Sequence, residues 1–400
     1  MRYEIGHAAL EDSPFPRADL GRGGLNYHRP ISATTGIPMT GRLRRAFIVT
    51  QIVAVLLSTQ IAQAAEYPTP VEGDFIVPNF QFADGARLPE LRIHYLTLGT
   101  AQKDAQGKVK NAVIIGHGTG GSGAQFLRAE FAGELFGAGQ PLDASRYFIV
   151  LIDAIGHGKS AKPSDGLRAK FPQYGYSDMV EAQYRLLTEG LGVNHLRLVM
   201  GTSMGGMQTW VWGERHPEFM DALMPLASLP TQISGRNRIW RKAIIDAIRN
   251  DPAWSGGNYS KQPPSLGTAA SLIFFMGSNP LLRQEQMPTL AKADQVLGEY
   301  TASAMRQQDA NDMLYQVSAS WDYDPAPGLE RIRAPLFAVN FADDLINPPE
   351  LGILEREVKR VKHGAAVVMP ASPQTRGHGT HTLAAVWKQY LITLLENTQH

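Results

Sequence analysis

From residue 111 to residue 371 the chain repeats one pattern, a short and almost uninterrupted apolar run followed by a longer stretch of helical character. The runs are NAVIIGHG (111–118), YFIVLIDAIG (147–156), LRLVMG (196–201), ALMPLAS (222–228), APLFAVNF (334–341) and AAVVMPA (365–371). A strand with one face in water alternates apolar and polar side chains, whereas a strand apolar at nearly every position must be covered on both faces. Helices on both sides of a parallel sheet supply that cover, so the pattern predicts a doubly wound α/β sheet. Two earlier runs, FIVPNFQF (75–82) and LRIHYLTLGT (91–100), read as an antiparallel opening pair, which brings the strand count to eight. YSDMVEAQYRLLTEGLG (176–192) and HTLAAVWKQYLITLLENT (381–398) read as amphipathic helices, the first stopped by Gly190 and Gly192.

Residues 230–333 break this rhythm, with helical patches, no strand, and Trp240, Trp254, Tyr259, Phe274, Phe275 and Trp321. They read as a helical cap inserted over the carboxyl edge of the sheet, where open α/β folds bind ligands. Most of these aromatics are expected to pack the cap's own core. The sheet layer is then 65–229 and 334–400.

Within LRLVMGTSMGGMQTWVWGERHPE (196–218), the segment Gly201-Thr202-Ser203-Met204-Gly205 fits G-x-S-x-G directly between a buried strand and a helix. In that setting glycines let strand and helix approach closely, the turn is strained, and the serine hydroxyl stands exposed at the helix N-terminus. The alternative is a tight structural turn. A nucleophilic serine needs a base, and the base needs an orienting acid; behind such a turn both follow in the order acid then histidine, each just after a later strand. Asp343 and Asp344 follow 334–341, and successive side chains there point opposite ways, so one of the two is the acid. His378, between Gly377 and Gly379 after the last strand, is the expected base; His381, nearer the last helix, is expected to pack or cap. The remaining nine histidines are expected mostly at the surface or in the leader, and no histidine spacing argues for a metal.

Two N–H donors should face the charge that develops on the attacked carbonyl oxygen. Met204, directly after the serine, offers one, and the loop GHGTGGSG (116–123) offers the other, assigned to Thr119. That loop also matches G-x-G-x-x-G at Gly116, Gly118 and Gly121, but the first acid at a following strand end, Asp153, is 37 residues on, where a dinucleotide site wants about 20. GHGKS (156–160) resembles the end of a phosphate loop, yet Asp153 stands where its first glycine belongs.

Composition excludes other chemistries. The 400 residues carry a net charge of +1, which offers no nucleic-acid surface, and no cysteine, which removes disulfides, thiolate metal sites and a cysteine nucleophile. From Met39, a basic start (Arg42, Arg44, Arg45), an apolar core over 46–57 and Ala62-Gln63-Ala64 compose an export signal cleaved after Ala64. Its core is short of the roughly 20 apolar residues that span a bilayer, which argues against an uncleaved anchor. Residues 1–38 then read as a non-structural extension ahead of the true start, and 39–64 as the signal peptide. The expected location is periplasmic or secreted.

GTSMGGMQ (201–208), DPAWSGGNY (251–259) and LRIHYLTLGT together resemble the homoserine O-acetyltransferase family of α/β-hydrolases, over essentially the whole mature chain. The resemblance implies an α/β-hydrolase fold with a mostly parallel eight-stranded sheet and inserted cap. It implies Asp344 as the acid, four residues before Pro348, with Asp343 a turn residue. It also implies that Arg241 lies near a substrate carboxylate, with Tyr259 as a second candidate substrate-binding residue. Two departures point from transfer toward hydrolysis. The acetyltransferases carry an aspartate after the histidine that holds the substrate amine, and here it is Gly379; their N-V-L-G segment is replaced by IDAIGHGKS, similar to ester and lactone hydrolases. The expectation is an exported serine hydrolase acting on an ester or related acyl compound, with an acyl-CoA-dependent O-acyltransferase as the alternative and a binding protein on an inactive scaffold as a third. No cofactor is expected. The partners expected are a small acyl substrate, no nucleic acid, no stable membrane anchor and, at most, a second copy of the chain.

Overall fold

The computed structural model describes residues 67–398; the extension and signal peptide proposed for 1–64 lie outside the described residues. Eight strands form one sheet: β1 (Val71–Gln81), β2 (Arg87–Leu98), β3 (Ala112–Gly116), β4 (Phe148–Ile152), β5 (Leu198–Thr202), β6 (Leu223–Leu226), β7 (Leu336–Phe341) and β8 (Gly364–Met369). Their order is β1-β2-β4-β3-β5-β6-β7-β8, antiparallel where β2 meets β1 and β4 and parallel from β4 to β8.

The continuous apolarity of the inner strands has the cause inferred from sequence. Ile114, Val150, Ile152 and Val199 face one cluster, shared with α2 (Tyr176–Arg185) and α3 (Met204–Arg215). Val113, Ile115, Ile149, Leu151 and Met200 face a second cluster on the other side, closed by α1 (Ala132–Leu135) and by Trp387 and Leu391 of α10 (Ala384–Asn397). At about 25 cal/mol per Å² of apolar surface, these two buried faces are the main source of stability.

Between β6 and β7 the chain forms no strand. It forms α4 (Gly235–Arg249), α5 (Ser265–Met276), α6 (Pro280–Gln286), α7 (Leu290–Gln307) and α8 (Ala310–Ser318). Trp240, Ile244, Leu266, Met313 and Leu314 give these helices a core of their own, with Trp254 and Tyr259 packed against it. Phe275 and Trp321 depart from the expectation of aromatic packing, being 62% and 50% exposed. A short α9 (Ile353–Glu357) precedes β8.

Strand register places the site. Gly116 at the end of β3 pairs with Gly201 in β5, so the two strands finish at one level, and β3 lies between β4 and β5, where the chain reverses its direction of travel across the sheet. The crevice beyond strand ends at such a reversal is where open α/β sheets hold ligands.

Candidate active site

Ser203 is the N-cap of α3, with φ of 56° and ψ of −112°, a left-handed conformation that a residue with a Cβ adopts only under constraint. The constraint is visible in its neighbours. A Cβ on Gly201 would lie 2.2 Å from the carbonyl oxygen of Gly205, and one on Gly205 would lie 2.0 Å from that of Gly116. Strand, turn and helix are thus in backbone contact, and the serine is forced outward. The Gly205 N–H donates to the His117 carbonyl at 2.9 Å, which ties the turn to the loop after β3.

The distant residues converge on it. His378 Nε2 is 2.8 Å from Ser203 Oγ, and His378 Nδ1 is 2.8 Å from Asp344 Oδ2. Asp344 is 1% exposed. Its Oδ1 accepts from the N–H groups of Ile346 (2.7 Å) and Asn347 (3.1 Å), and its Oδ2 also accepts from the Asn347 amide at 3.2 Å. Burial pushes its carboxyl up, but the His378 imidazole and these N–H groups outweigh burial and hold it below the ordinary value. An ionised carboxylate on Nδ1 sets the tautomer that turns the Nε2 lone pair toward Ser203.

Asp343 is more than a turn residue. Its Oδ2 accepts from Thr375 Oγ1 (2.8 Å), from the Gly377 N–H (3.0 Å) and from the Asn279 amide. Asp344 holds the ring of His378 while Asp343 holds the backbone just before it and links that loop to the start of α6. The alternation of adjacent side chains gave the two aspartates different directions but not this second role.

Met204 follows Ser203 directly, and Thr119 lines the cavity into which Ser203 opens. Neither N–H donates to a backbone carbonyl among the described residues, and the Met204 N–H, at the first position of α3, has no intrahelical acceptor by construction. Of the other nine histidines, expected mostly at the surface or in the leader, His94, His117, His157 and His195 are buried. His117 bears on the site. Its Nε2 accepts from the Ala154 N–H at 3.0 Å, so the proton is on Nδ1, which donates to the Gly118 carbonyl at 2.8 Å. Burial lowers its pKa and keeps it neutral. Asp153 holds the other end of the same loop by accepting from the Gly123 N–H at 2.6 Å, and accepts from Lys159 N at 2.8 Å on its second oxygen. Asp153 is thus a brace for the loop that carries Thr119, and the lysine of GHGKS pairs at the surface with Glu72.

Ser203 and His378 open into a cavity of about 370 Å³, walled also by Thr119, Met207, Trp240 and Arg241. Arg241 is 2% exposed and pairs with no carboxylate among the described residues. Its Nε donates to Asn237 Oδ1 at 3.0 Å and its Nη1 reaches the Val317 carbonyl and Ser320 Oγ only at 3.4 and 3.5 Å. Burial lowers its pKa, and the neighbouring Tyr176 phenol raises it.

Tyr259 is the expected site residue that the structure places elsewhere. It does not line this cavity. Its hydroxyl donates to Asp309 Oδ1 (2.7 Å) and accepts from the Asn311 N–H (3.0 Å), so it braces the start of α8. Its motif companions do the same work: Trp254 Nε1 donates to Asn311 Oδ1 at 2.7 Å, and Asp251 receives the N–H groups of Ala253 and Ser265, both at 2.9 Å. DPAWSGGNY is a framework for the cap.

Residues 111–354 match the family model described as the alpha/beta hydrolase fold. The chain belongs to the α/β-hydrolase family. Within it, the chain is similar to a probable acyltransferase of Methanothermobacter thermautotrophicus, 31% identical over 69% of this chain and 84% of the relative. It is also similar to a homoserine O-acetyltransferase of Chlorobium chlorochromatii, 30% identical over 66% of this chain and 80% of the relative. Among solved structures it resembles esterase E22, with a TM-score of 0.72 and 20% identity over 82% of this chain and all of the other. The protein is a hydrolase or acyltransferase of this fold.

Proposed function

We propose that the protein is an exported serine hydrolase that cleaves an ester or related acyl compound. The observation that carries this reading is the unbroken relay from Ser203 Oγ through His378 to Asp344, at 2.8 Å in each step. In this reading Ser203 Oγ attacks the carbonyl carbon as His378 Nε2 takes its proton. The Thr119 and Met204 N–H groups receive the negative charge on the carbonyl oxygen. His378 returns the proton to the leaving oxygen, which departs as an alcohol. Water, deprotonated by the same nitrogen, then attacks the acyl-serine, releasing the acid and restoring Ser203. Arg241, buried and unpaired with acid, is read as the binder of a substrate carboxylate. Export rests on the signal read in 39–64; mass spectrometry of the mature protein should find Ala65 at the N-terminus.

The second reading, transfer of an acyl group from acyl-CoA to an alcohol, is favoured by the named acyltransferase relatives. Gly379 weighs against it, because an ammonium acceptor lacks its carboxylate. Turnover of p-nitrophenyl acetate with and without homoserine separates the two: hydrolysis independent of acceptor is expected, and acceptor-dependent turnover with negligible hydrolysis would establish transfer instead. Ser203→Ala should abolish both turnover and labelling by a fluorophosphonate. A Cβ on Gly379 would meet nothing nearer than Arg376 Cβ at 3.9 Å, so a side chain can start there without a clash at its first carbon. Gly379→Asp is expected to raise the share of acyl groups passed to homoserine.

A further inference from the structure

The chemistry above makes no use of His381. Its ring lines the same cavity as Ser203 and is 8% exposed. Nδ1 is sealed from solvent and has no hydrogen-bond partner. Nε2 has none either among the described residues, and since it is not sealed, it is the nitrogen that meets the cavity. Burial, reinforced by the neighbouring His378, lowers the pKa of His381 to about 3, so the ring is neutral and offers one N–H and one lone pair. Buried polar groups without partners carry a free-energy cost and are few in folded proteins. Nδ1 carries that cost sealed, while Nε2, unmet as well, is open toward the cavity that the ring lines.

Its position identifies the part of the ligand. The His378 and His381 rings meet edge to face, with centroids 5.2 Å apart and planes at 81°. His378 Nε2 must pass its proton to the leaving oxygen, which therefore comes within about 3 Å of it. His381, packed against His378 and lining the same cavity, is therefore within reach of the alcohol portion that carries the leaving oxygen.

We propose that His381 is a positioning and specificity residue for the alcohol portion, its cavity-facing nitrogen holding a hydroxyl one or two carbons from the ester oxygen. The inference rests on the hydrolase reading of Ser203 and His378. A hydroxyl is the group that pairs with either tautomer of a neutral imidazole, because it both donates and accepts. An ether oxygen pairs with only one tautomer, and an ammonium would find no carboxylate beside it at Gly379. The substrate class is thus a monoester of a diol or polyol. His381 forms and breaks no bond.

The test compares kcat/KM for 2-hydroxyethyl acetate and n-propyl acetate, which share an acyl group and nearly share a shape, each corrected by its alkaline hydrolysis rate. The wild type should favour the hydroxylated ester about tenfold, the scale of one well-made hydrogen bond. The preference should collapse in His381→Phe and survive largely in His381→Gln. Turnover of both esters by the wild type without corrected preference overturns the proposal, whether or not the phenylalanine variant folds, and so does an undiminished preference in a folded phenylalanine variant. Turnover of neither ester overturns the hydrolase reading beneath it.

Discussion

At the scale of single residues, neighbours with the same side chain have separate duties. Asp344 and Asp343 sit side by side in the turn that follows β7, yet one meets the imidazole and the other the backbone of its loop. Asp344→Asn should leave the fold intact and lower kcat by roughly 10⁴-fold, because an amide there favours the wrong tautomer of His378. Asp343→Asn should weaken the three hydrogen bonds it accepts and cost about 2 kcal/mol in a urea titration, with a smaller fall in kcat. The proposed nucleophile and base were legible because glycines mark them: Gly201 and Gly205 around Ser203, Gly377 and Gly379 around His378. His117 and Asp153 were missed as braces because nothing local signals a side chain that holds a loop thirty or more residues away. The repeated signal was their place at strand ends, where polar residues in an apolar run need partners.

At the scale of elements, the turn at Ser203 depends on backbone contact among β3, β5 and α3. Gly205→Ala inserts a methyl group 2.0 Å from the Gly116 carbonyl oxygen and should cost about 3 kcal/mol, with loss of esterase activity ahead of global unfolding. The cap answers to a different logic. The family resemblance makes Tyr259 a candidate substrate residue, but its phenol is already committed to the start of α8. Tyr259→Phe should lower Tm and leave KM nearly unchanged, at a cost of about 1 kcal/mol for the two hydrogen bonds its hydroxyl makes. The strands and the two amphipathic helices were readable because period and burial agree in them. The cap could be read as helical, but the pairing of its helices could not, since their apolar faces meet one another rather than the sheet.

At the scale of the whole molecule, buried histidines tie stability to pH. Burial lowers the pKa of His117, and it lowers those of His157 and His381 to about 3, from an unfolded value of 6.5. From pH 6.5 downward the unfolded chain therefore binds protons that the folded one refuses, and stability falls, by up to about 1.4 kcal/mol per pH unit for each such group. Asp312 runs the other way: burial raises it to about 6, so its contribution falls as pH rises from about 4 to 6, and it opposes the histidines only in part. Asp344, held below its free value of 3.8, adds a further loss beneath that pH. Urea titrations from pH 7 to 4 should show declining stability, and His157→Asn should flatten the decline by one proton's worth. The sequence by itself determined the sheet, its eight strands and the residues that could serve as nucleophile, acid and base, because burial on both faces and strain in a tight turn leave local marks. Only the tertiary structure decided which of those residues meet. It also decided that Arg241 and His381 share their cavity while Tyr259 does not, because those relations depend on how the cap seats over the strand ends, and no local period encodes a distance across the fold.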